Sequence, residues 1–527
     1  MPLLLDSLLE GCIGQDHAFK SSHQLVLSII VALVVVWPIA SIIYNLFFHP
    51  LRNFPGPLHF RASFLPFVYH WVMGKQTFVT EKLHRQYGPV VRISPKHLSF
   101  CDTRAWKDIY GHLAPNRDGS KTNEMDKTTP FDRMFDEVPR TILNAGRDEH
   151  KNVRRALAHG FSESSLRQQE PTIAKSVNLL MKKLHGLCDA NGGKEALNAE
   201  AWYNYTTFDI TGDLIFGSTF GCLEDSTYHP WIEGIISAAK FSSMMMAMSY
   251  VGLHWLVQVL YRLIGHRSLA KMNKLSGEMI QGRLGIKEDR ADLFDGLRKI
   301  PEPWKLSFES LSGNAFVLVL AGSETTSTTL SGATYLLTSH PDKLEKLAHE
   351  VRSAFKSADE INMTSASQLP YLRAVLNESL RMFPPVVSGL VREVPSEGGQ
   401  IAGQYIAGGT FVEVQQWVMN HSPTYWNDPW TFQPERFLAA NLDEAREAGN
   451  SLDALQPFSL GPRNCIGRNL AHAEMRLIFA RIIYDFDLTL ASDSQQWIER
   501  LKTFVLWDRI PLNVHFKPVA KPEATEL

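Results

Sequence analysis

Residues 24–49 contain no Asp, Glu, Lys or Arg, and residues 25–43 are rich in Val, Ile and Leu. An apolar run of that length suits a helix crossing a bilayer. Asp6, Glu10 and Asp16 against Lys20 precede it, whereas Arg52 and Arg61 follow it. This charge bias predicts a short lumenal segment at 1–23, an anchor at 24–48 and the bulk of the chain on the cytosolic side. A cleaved leader would have a shorter apolar stretch nearer the start, with basic residues ahead of it. Pro38 inside the span is tolerated by a lipid-embedded helix. Phe54-Pro55-Gly56-Pro57 then predicts a stiff hinge within 49–60, ahead of one large unit at 61–527.

Beyond the hinge the pattern is mostly helical. Long stretches at 145–290 and 305–385 repeat apolar residues at helical spacing, as Leu372, Val375, Leu376 and Leu380 do. Val90-Val91-Arg92-Ile93 and Leu98-Ser99-Phe100 predict two short strands around a turn at Ser94-Pro95. A second strand pair is expected within 401–414, punctuated by Gly403, Gly408 and Gly409. The expected fold class is mainly α with a small β lobe. The sequence has no internal repeat and no low-complexity tract.

Composition narrows the partners. Of 527 residues, 44% are hydrophobic and 20% charged, with a formal net charge of −2. Such a balance speaks against a nucleic-acid surface or disorder and for apolar ligands and a membrane. Cys12, Cys101, Cys188, Cys222 and Cys465 show no paired C-x-x-C spacing, which argues against a zinc cluster or a disulfide framework and fits a reducing compartment.

The chemistry concentrates in Phe458-Ser459-Leu460-Gly461-Pro462-Arg463-Asn464-Cys465-Ile466-Gly467. Glycines at 461 and 467 let the backbone approach a flat macrocycle, and amides at the start of the following helix stabilise a sulfur anion. Arg463 adds a cation, and Phe458 can shield the sulfur from water. Such a loop suits a thiolate ligand to haem iron, although an arbitrary cysteine in a Gly/Pro turn is more often a buried structural one. The stretch resembles the haem-binding signature F-x-x-G-x-R-x-C-x-G of the cytochrome P450 family at all its specified positions.

A second motif, Ala321-Gly322-Ser323-Glu324-Thr325-Thr326, follows the apolar run 315–320. An acid and hydroxyls in an apolar helix are costly unless something uses them. Thr side chains can bond back to a preceding carbonyl and open space beside a metal. Glu324 could then relay protons and Thr325 position them; the alternative is a helix whose hydroxyls merely satisfy carbonyls. The motif is similar to the family's oxygen-activating A-G-x-[D/E]-T-[T/S]. Glu378 and Arg381 share a helix face and can pair. The resemblance implies that Arg436, in Pro434-Glu435-Arg436-Phe437, joins them in a buried network bracing the cysteine loop.

A haem would bring two propionates. His150 and Arg154 lie on one helical face, in a pattern similar to the family's W/H-x-x-x-R, with Arg392 and Arg463 as further candidates. Lys151, Arg155, Arg468 and Arg476 could form a basic patch for an acidic flavoprotein reductase, or an ordinary charged surface. The Met-rich segment 241–248 is a candidate lid or membrane-dipping segment, with core packing as the alternative. The polar stretch 116–140 is expected to cover the haem's distal face. Val317, Ala321 and residues 386–390 should border the cavity by family analogy.

The resemblance spans nearly the whole chain and is closest to fungal microsomal enzymes of secondary metabolism. It implies a monooxygenase of the endoplasmic reticulum membrane that contains haem b. It would draw NADPH-derived electrons through NADPH-cytochrome P450 reductase, with cytochrome b5 as a further donor, and oxidise a polyketide or terpenoid intermediate. Two other readings stay open: a reductase-independent haem-thiolate isomerase or dehydratase, and a noncatalytic haem-binding membrane protein.

Overall fold

The computed structural model describes residue 28 and residues 35–519, apart from 113–123, 129–137, 287–291, 440–441, 505 and 509. Within them the helices of the predicted helical stretches include α1 (Arg147–Ala158), α2 (Glu163–Asn191), α3 (Ala199–Phe216), α4 (Pro230–Tyr250), α5 (Phe308–Thr338) and α6 (Pro370–Met382), and α7 (Arg468–Asp485) follows the cysteine loop. The described strands are β1 (Val90–Ser94), β2 (His97–Phe100), β3 (Asp126–Lys127), β4 (Leu197–Asn198), β5 (Arg392–Glu393), β6 (Gly399–Ile401), β7 (Gln404–Ile406), β8 (Phe411–Val414), β9 (Phe486–Leu490) and β10 (Asn513–Pro518). The fold is mainly helical with small sheets.

β1 and β2 form the expected hairpin, with Val90 opposite Phe100. Residues 401–414 do not form a simple pair. β6 and β7 make their own two-stranded hairpin, turned at Ala402 and Gly403, both at positive φ. Gly409, also at positive φ, donates its N–H to the Val394 carbonyl at 2.9 Å and redirects the chain. β8 consequently joins a sheet of order β1-β2-β8-β5-β3, parallel to β2 and antiparallel to β5. A pattern of turns shows where strands break but not which neighbour each finds.

Of the predicted anchor, residues 24–27 and 29–34 lie outside the described residues. Its end is the helix Trp37–Ile43, continuing into a π-helical turn at Tyr44–Phe48, with Trp37, Phe47 and Phe48 exposed. Among the described residues no helix is long and apolar enough to cross a membrane. The hinge is tied down on β1. Arg92 N–H donates to Pro55 O at 2.7 Å, and a Cβ on Gly56 would lie 2.5 Å from Arg92 O, so only glycine fits there. The buried Arg92 guanidinium donates to the carbonyls of Asn45, Leu51 and Pro95.

α5 is the spine of the core. Ser307 caps its first turn by accepting from Ser310 N–H. One face packs along α3 and is stitched to it by short side chains: Tyr203 hydroxyl with Thr334 (2.7 Å), Thr211 with Ser323 (2.6 Å), and Ser327 donating to Asn204 Oδ1 (2.8 Å). Buried hydroxyls paired in this way fix the helix's rotation, because a turn about its axis would leave them all unsatisfied. The opposite face, with Ala321 and Thr325, is thereby held toward a cavity.

Candidate active site

A cavity of about 300 Å³ separates α5 from the cysteine loop. The loop's shape follows from close packing. Gly461 sits at φ +71°, and a Cβ there would lie 1.9 Å from the Tyr110 carbonyl, which no side chain allows. Ser459 also takes a positive φ, and Cys465 N–H closes the loop on Phe458 O at 2.8 Å. The Cys465 side chain opens into the cavity and is otherwise enclosed by protein. Burial pushes its thiol up, while the Gly467 N–H and the cations of Arg154 and Arg468 pull it down.

Arg463 does not supply the charge that acts on the sulfur. Its guanidinium turns to Glu124, with Nη2 donating to Oε1 at 2.9 Å and Nε at 3.1 Å, and Nη2 also meets the Ala145 carbonyl at 2.9 Å. Glu124 lies in the polar stretch from which no single residue stands out in sequence, and it is 339 positions from its partner. Arg154 instead grips the loop, donating to the Asn464 carbonyl at 2.6 Å and to its side-chain oxygen. Phe458 lines the cavity, packs on His472 at 4.9 Å between ring centroids, and has Arg468 above it at 5.8 Å.

His150 is buried on α1 and lines the same cavity, not the solvent. Burial lowers its pKa to about 4, reinforced by Arg463. Arg392 is not among the lining residues. Its Nη1 donates to the Val391 carbonyl at 3.0 Å, and its guanidinium lies over Tyr110 at 5.3 Å.

Across the cavity, Thr325 Oγ1 donates to the Ala321 carbonyl at 2.7 Å, the back-bond expected of a hydroxyl in a helix. Thr325, Ala321, Gly322, Val317 and Leu318 line the cavity. Glu324 is buried and is not among the residues that line it. Pro385, Val386 and Leu390 form another wall, as expected for 386–390. None of residues 241–248 lines the cavity. Met245 is buried, whereas Phe241 and Met244 are exposed. Gln416, which nothing in the sequence marked, lines it and donates to the Gln456 carbonyl at the root of the cysteine loop.

Glu378 sits at the centre of a fully buried network. Arg381 Nε donates to Oε2 at 2.7 Å and its Nη2 to Oε1 at 2.8 Å; Arg436 Nε donates to Oε1 at 3.3 Å, and the Gln433 N–H donates to the same oxygen at 2.9 Å. Both guanidiniums spend their remaining donors on carbonyls, including Asn420, Pro429 and Asp428.

The Cytochrome P450 family model matches residues 59–516. The chain belongs to the cytochrome P450 family. Cytochrome P450 monooxygenase tpeC of Talaromyces stipitatus is 43% identical, over 93% of this chain and 94% of the relative. Trichothecene C-15 hydroxylase of Fusarium sporotrichioides is 38% identical over 91% and 96%. Averantin hydroxylase of Dothistroma septosporum is 39% identical over 92% and 90%. This P450 is accordingly a monooxygenase, and membership implies a haem-thiolate cofactor and a redox partner. The residues present fit such a group. One sulfur opens into the cavity, His150 and Arg154 stand on its wall, and the buried Arg463 Nη1 has no hydrogen-bond partner among the described residues.

Proposed function

We propose that this P450 is anchored in the endoplasmic reticulum membrane and oxidises an apolar small molecule, a polyketide or terpenoid intermediate of fungal secondary metabolism. The observation that carries the reading is one cavity with Cys465 on one side, the Thr325 turn of α5 on the other, and an apolar wall of Val317, Leu318, Val386 and Leu390 between them. Cys465 would hold the iron of haem b. Arg463, His150 and Arg154 would hold its carboxylates, the unpartnered Arg463 Nη1 being the readiest donor. When bound, the haem supplies the electron-transfer chemistry that activates dioxygen.

The chain's own residues do the rest. Thr325 would accept at Oγ1 one proton relayed through Glu324 while passing its own hydroxyl proton on. The apolar wall orients substrate and excludes water. Glu378, Arg381 and Arg436 brace the loop. Residues 24–48 would be the anchor, 1–23 a lumenal segment, 49–60 the hinge and 61–527 the catalytic unit; the uncharged run and the exposed Trp37, Phe47 and Phe48 support this. Lys151, Arg155 and Arg468 are exposed and Arg476 half-buried, on α1, whose Arg154 grips the cysteine loop, and on α7, which follows that loop; such cations suit docking of NADPH-cytochrome P450 reductase or cytochrome b5.

The reading is tested by supplying purified enzyme and reductase with metabolite extract from a host lacking the gene. Conversion should require NADPH; conversion without it would favour an isomerase. In the same assay Thr325→Ala should retain the carbon monoxide spectrum while product per NADPH falls by about tenfold or more, the lower range for loss of a positioned proton donor. Unchanged coupling would remove Thr325 from the relay.

A further inference from the structure

Behind the cavity wall that carries Val386 and Leu390 stands a buried carboxyl, Glu413 of β8. Gly389, between those two lining residues, rests directly on it: a Cβ there would lie 2.6 Å from both the Glu413 Cβ and its carboxyl carbon. Interiors packed this closely transmit small shifts, so a movement of Glu413 is a movement of the wall. Glu413 shares a sheet face with Phe411, in a small apolar cluster that also holds Tyr250, the last residue of α4. Its Oε1 accepts from Gln415 Nε2 at 2.7 Å, and its Oε2 stands 3.7 Å from His97 Nε2 on β2. His97 Nδ1 is 3.1 Å from the Tyr250 hydroxyl, which also hydrogen-bonds with Ser94 Oγ at the end of β1. A chain of buried polar groups thus runs from the cavity wall through the sheet to the end of α4.

Polar groups inside apolar packing are costly unless something uses them. The Tyr250 ring packs on Phe67 at 4.9 Å and Phe64 at 5.5 Å, which shuts water away from the chain. Burial lowers His97 to about 3, reinforced by Lys96, and raises Glu413 to about 7 against the opposing Gln415 hydrogen bond. Both are therefore uncharged just below neutrality. The other charged and titratable groups packed around Glu413 are committed elsewhere. Lys96 Nζ sits over the Phe411 ring at 4.0 Å and is attracted to Glu393, while Arg392 lies over Tyr110 and donates to the Val391 carbonyl. Burial raises Tyr110 and Tyr250, with Glu413 adding to both shifts, so neither supplies a charge.

We propose that Glu413, in its neutral form, is a positioning residue for the substrate: it fixes the 386–390 wall from behind, and His97 and Tyr250 hold it in place by tying it to α4. The inference rests on the reading that the cavity takes an apolar molecule. On ionising, Glu413 gives its proton to solvent, and the buried carboxylate left behind draws His97 Nε2 across the 3.7 Å gap. That gap cannot close while His97 keeps Tyr250 and Glu413 keeps Gly389, so the wall or the end of α4 shifts. Folding raises the Glu413 pKa from 4.5 to about 7; the hold is therefore complete in acid and is lost as the pH climbs through about 7.

The probe is clotrimazole, a bulky apolar imidazole, titrated into the full-length haem-loaded enzyme and followed by the shift of the haem absorption band. Glu413→Gln keeps the shape of the neutral acid and cannot ionise, so it also corrects for titration of the imidazole itself. Wild-type affinity relative to that variant should fall about two- to tenfold between about pH 6 and about pH 8, the range for one lost hydrogen bond. Over the same interval, hydrogen exchange at 245–253 and 386–392 should quicken in the wild type relative to Glu413→Gln. Tyr250→Phe keeps the ring and removes the hydroxyl; it should bind less tightly at the lower pH and show a smaller further drop. Equal affinity and exchange of wild type and Glu413→Gln across the interval would overturn the proposal, as would a Tyr250→Phe whose pH response matches the wild type. A wild type that binds no clotrimazole at either pH would instead overturn the functional reading, while the exchange comparison would still decide whether Glu413 sets the wall.

Discussion

Cys465→Ala is expected to abolish the thiolate signature of the reduced carbon monoxide spectrum and to bring turnover to background. The expectation rests on which sulfur atoms can reach the cavity. Cys101, Cys188 and Cys222 are buried elsewhere, and burial raises the thiols of Cys101 and Cys222 to about 11 and about 12. Met475 also lines the cavity, but a thioether carries no charge and cannot replace a thiolate. Among the described cysteines, Cys465 alone combines access with an adjacent N–H and two nearby cations. The substitution removes one sulfur and leaves the Gly461 contact and the Arg154 grip on Asn464 in place, so the loop should keep its shape. A normal thiolate spectrum in Cys465→Ala would refute the ligand assignment outright.

Glu378→Ala should cost about 3–5 kcal/mol, the range for removing one partner of a buried ion pair, and should prevent accumulation of haem-loaded protein. Glu378 accepts from Arg381, Arg436 and the Gln433 N–H, and without it two buried guanidiniums face each other with no counter-charge. Burial already lowers the Arg436 pKa, and Glu378 opposes that shift while Arg381 adds to it. The damage would reach the cavity through short steps: Arg381 holds the Asn420 carbonyl, Gln416 lies one turn before Asn420, and Gln416 holds Gln456 at the root of the cysteine loop. Haem content per polypeptide and the thermal midpoint check this. A variant that loads haem normally but turns over poorly would show the network acting in catalysis and not in bracing the loop.

The parts of this site that were legible in sequence are those whose partners lie close along the chain. The cysteine loop carries its glycines and its following helix with it, Thr325 meets Ala321 one turn back, and Glu378 meets Arg381 one turn on. Contacts between distant segments were less accessible. Nothing in the polar stretch singles out Glu124 as the partner that draws Arg463 from the sulfur, and the turn-rich run around β6, β7 and β8 does not reveal that β8 pairs with β2. The Met-rich segment shows the limit of composition, since its residues pack or face outward without lining the cavity. Glu474, which is buried on α7 and lines the cavity, did leave a signal. Leu470, Leu477 and Ile478 fall on its own helical face, four before and three and four after, and a charged residue on such a stripe is out of place unless something uses it.

The most direct test grows the native host, with and without this gene, under 18O2 and compares metabolites by mass spectrometry. A monooxygenase predicts a precursor that accumulates in the deletion and is lighter by one oxygen than a product of the intact host, the product carrying one 18O atom. A precursor and product of identical composition, or a product whose new oxygen comes unlabelled from water, would contradict it.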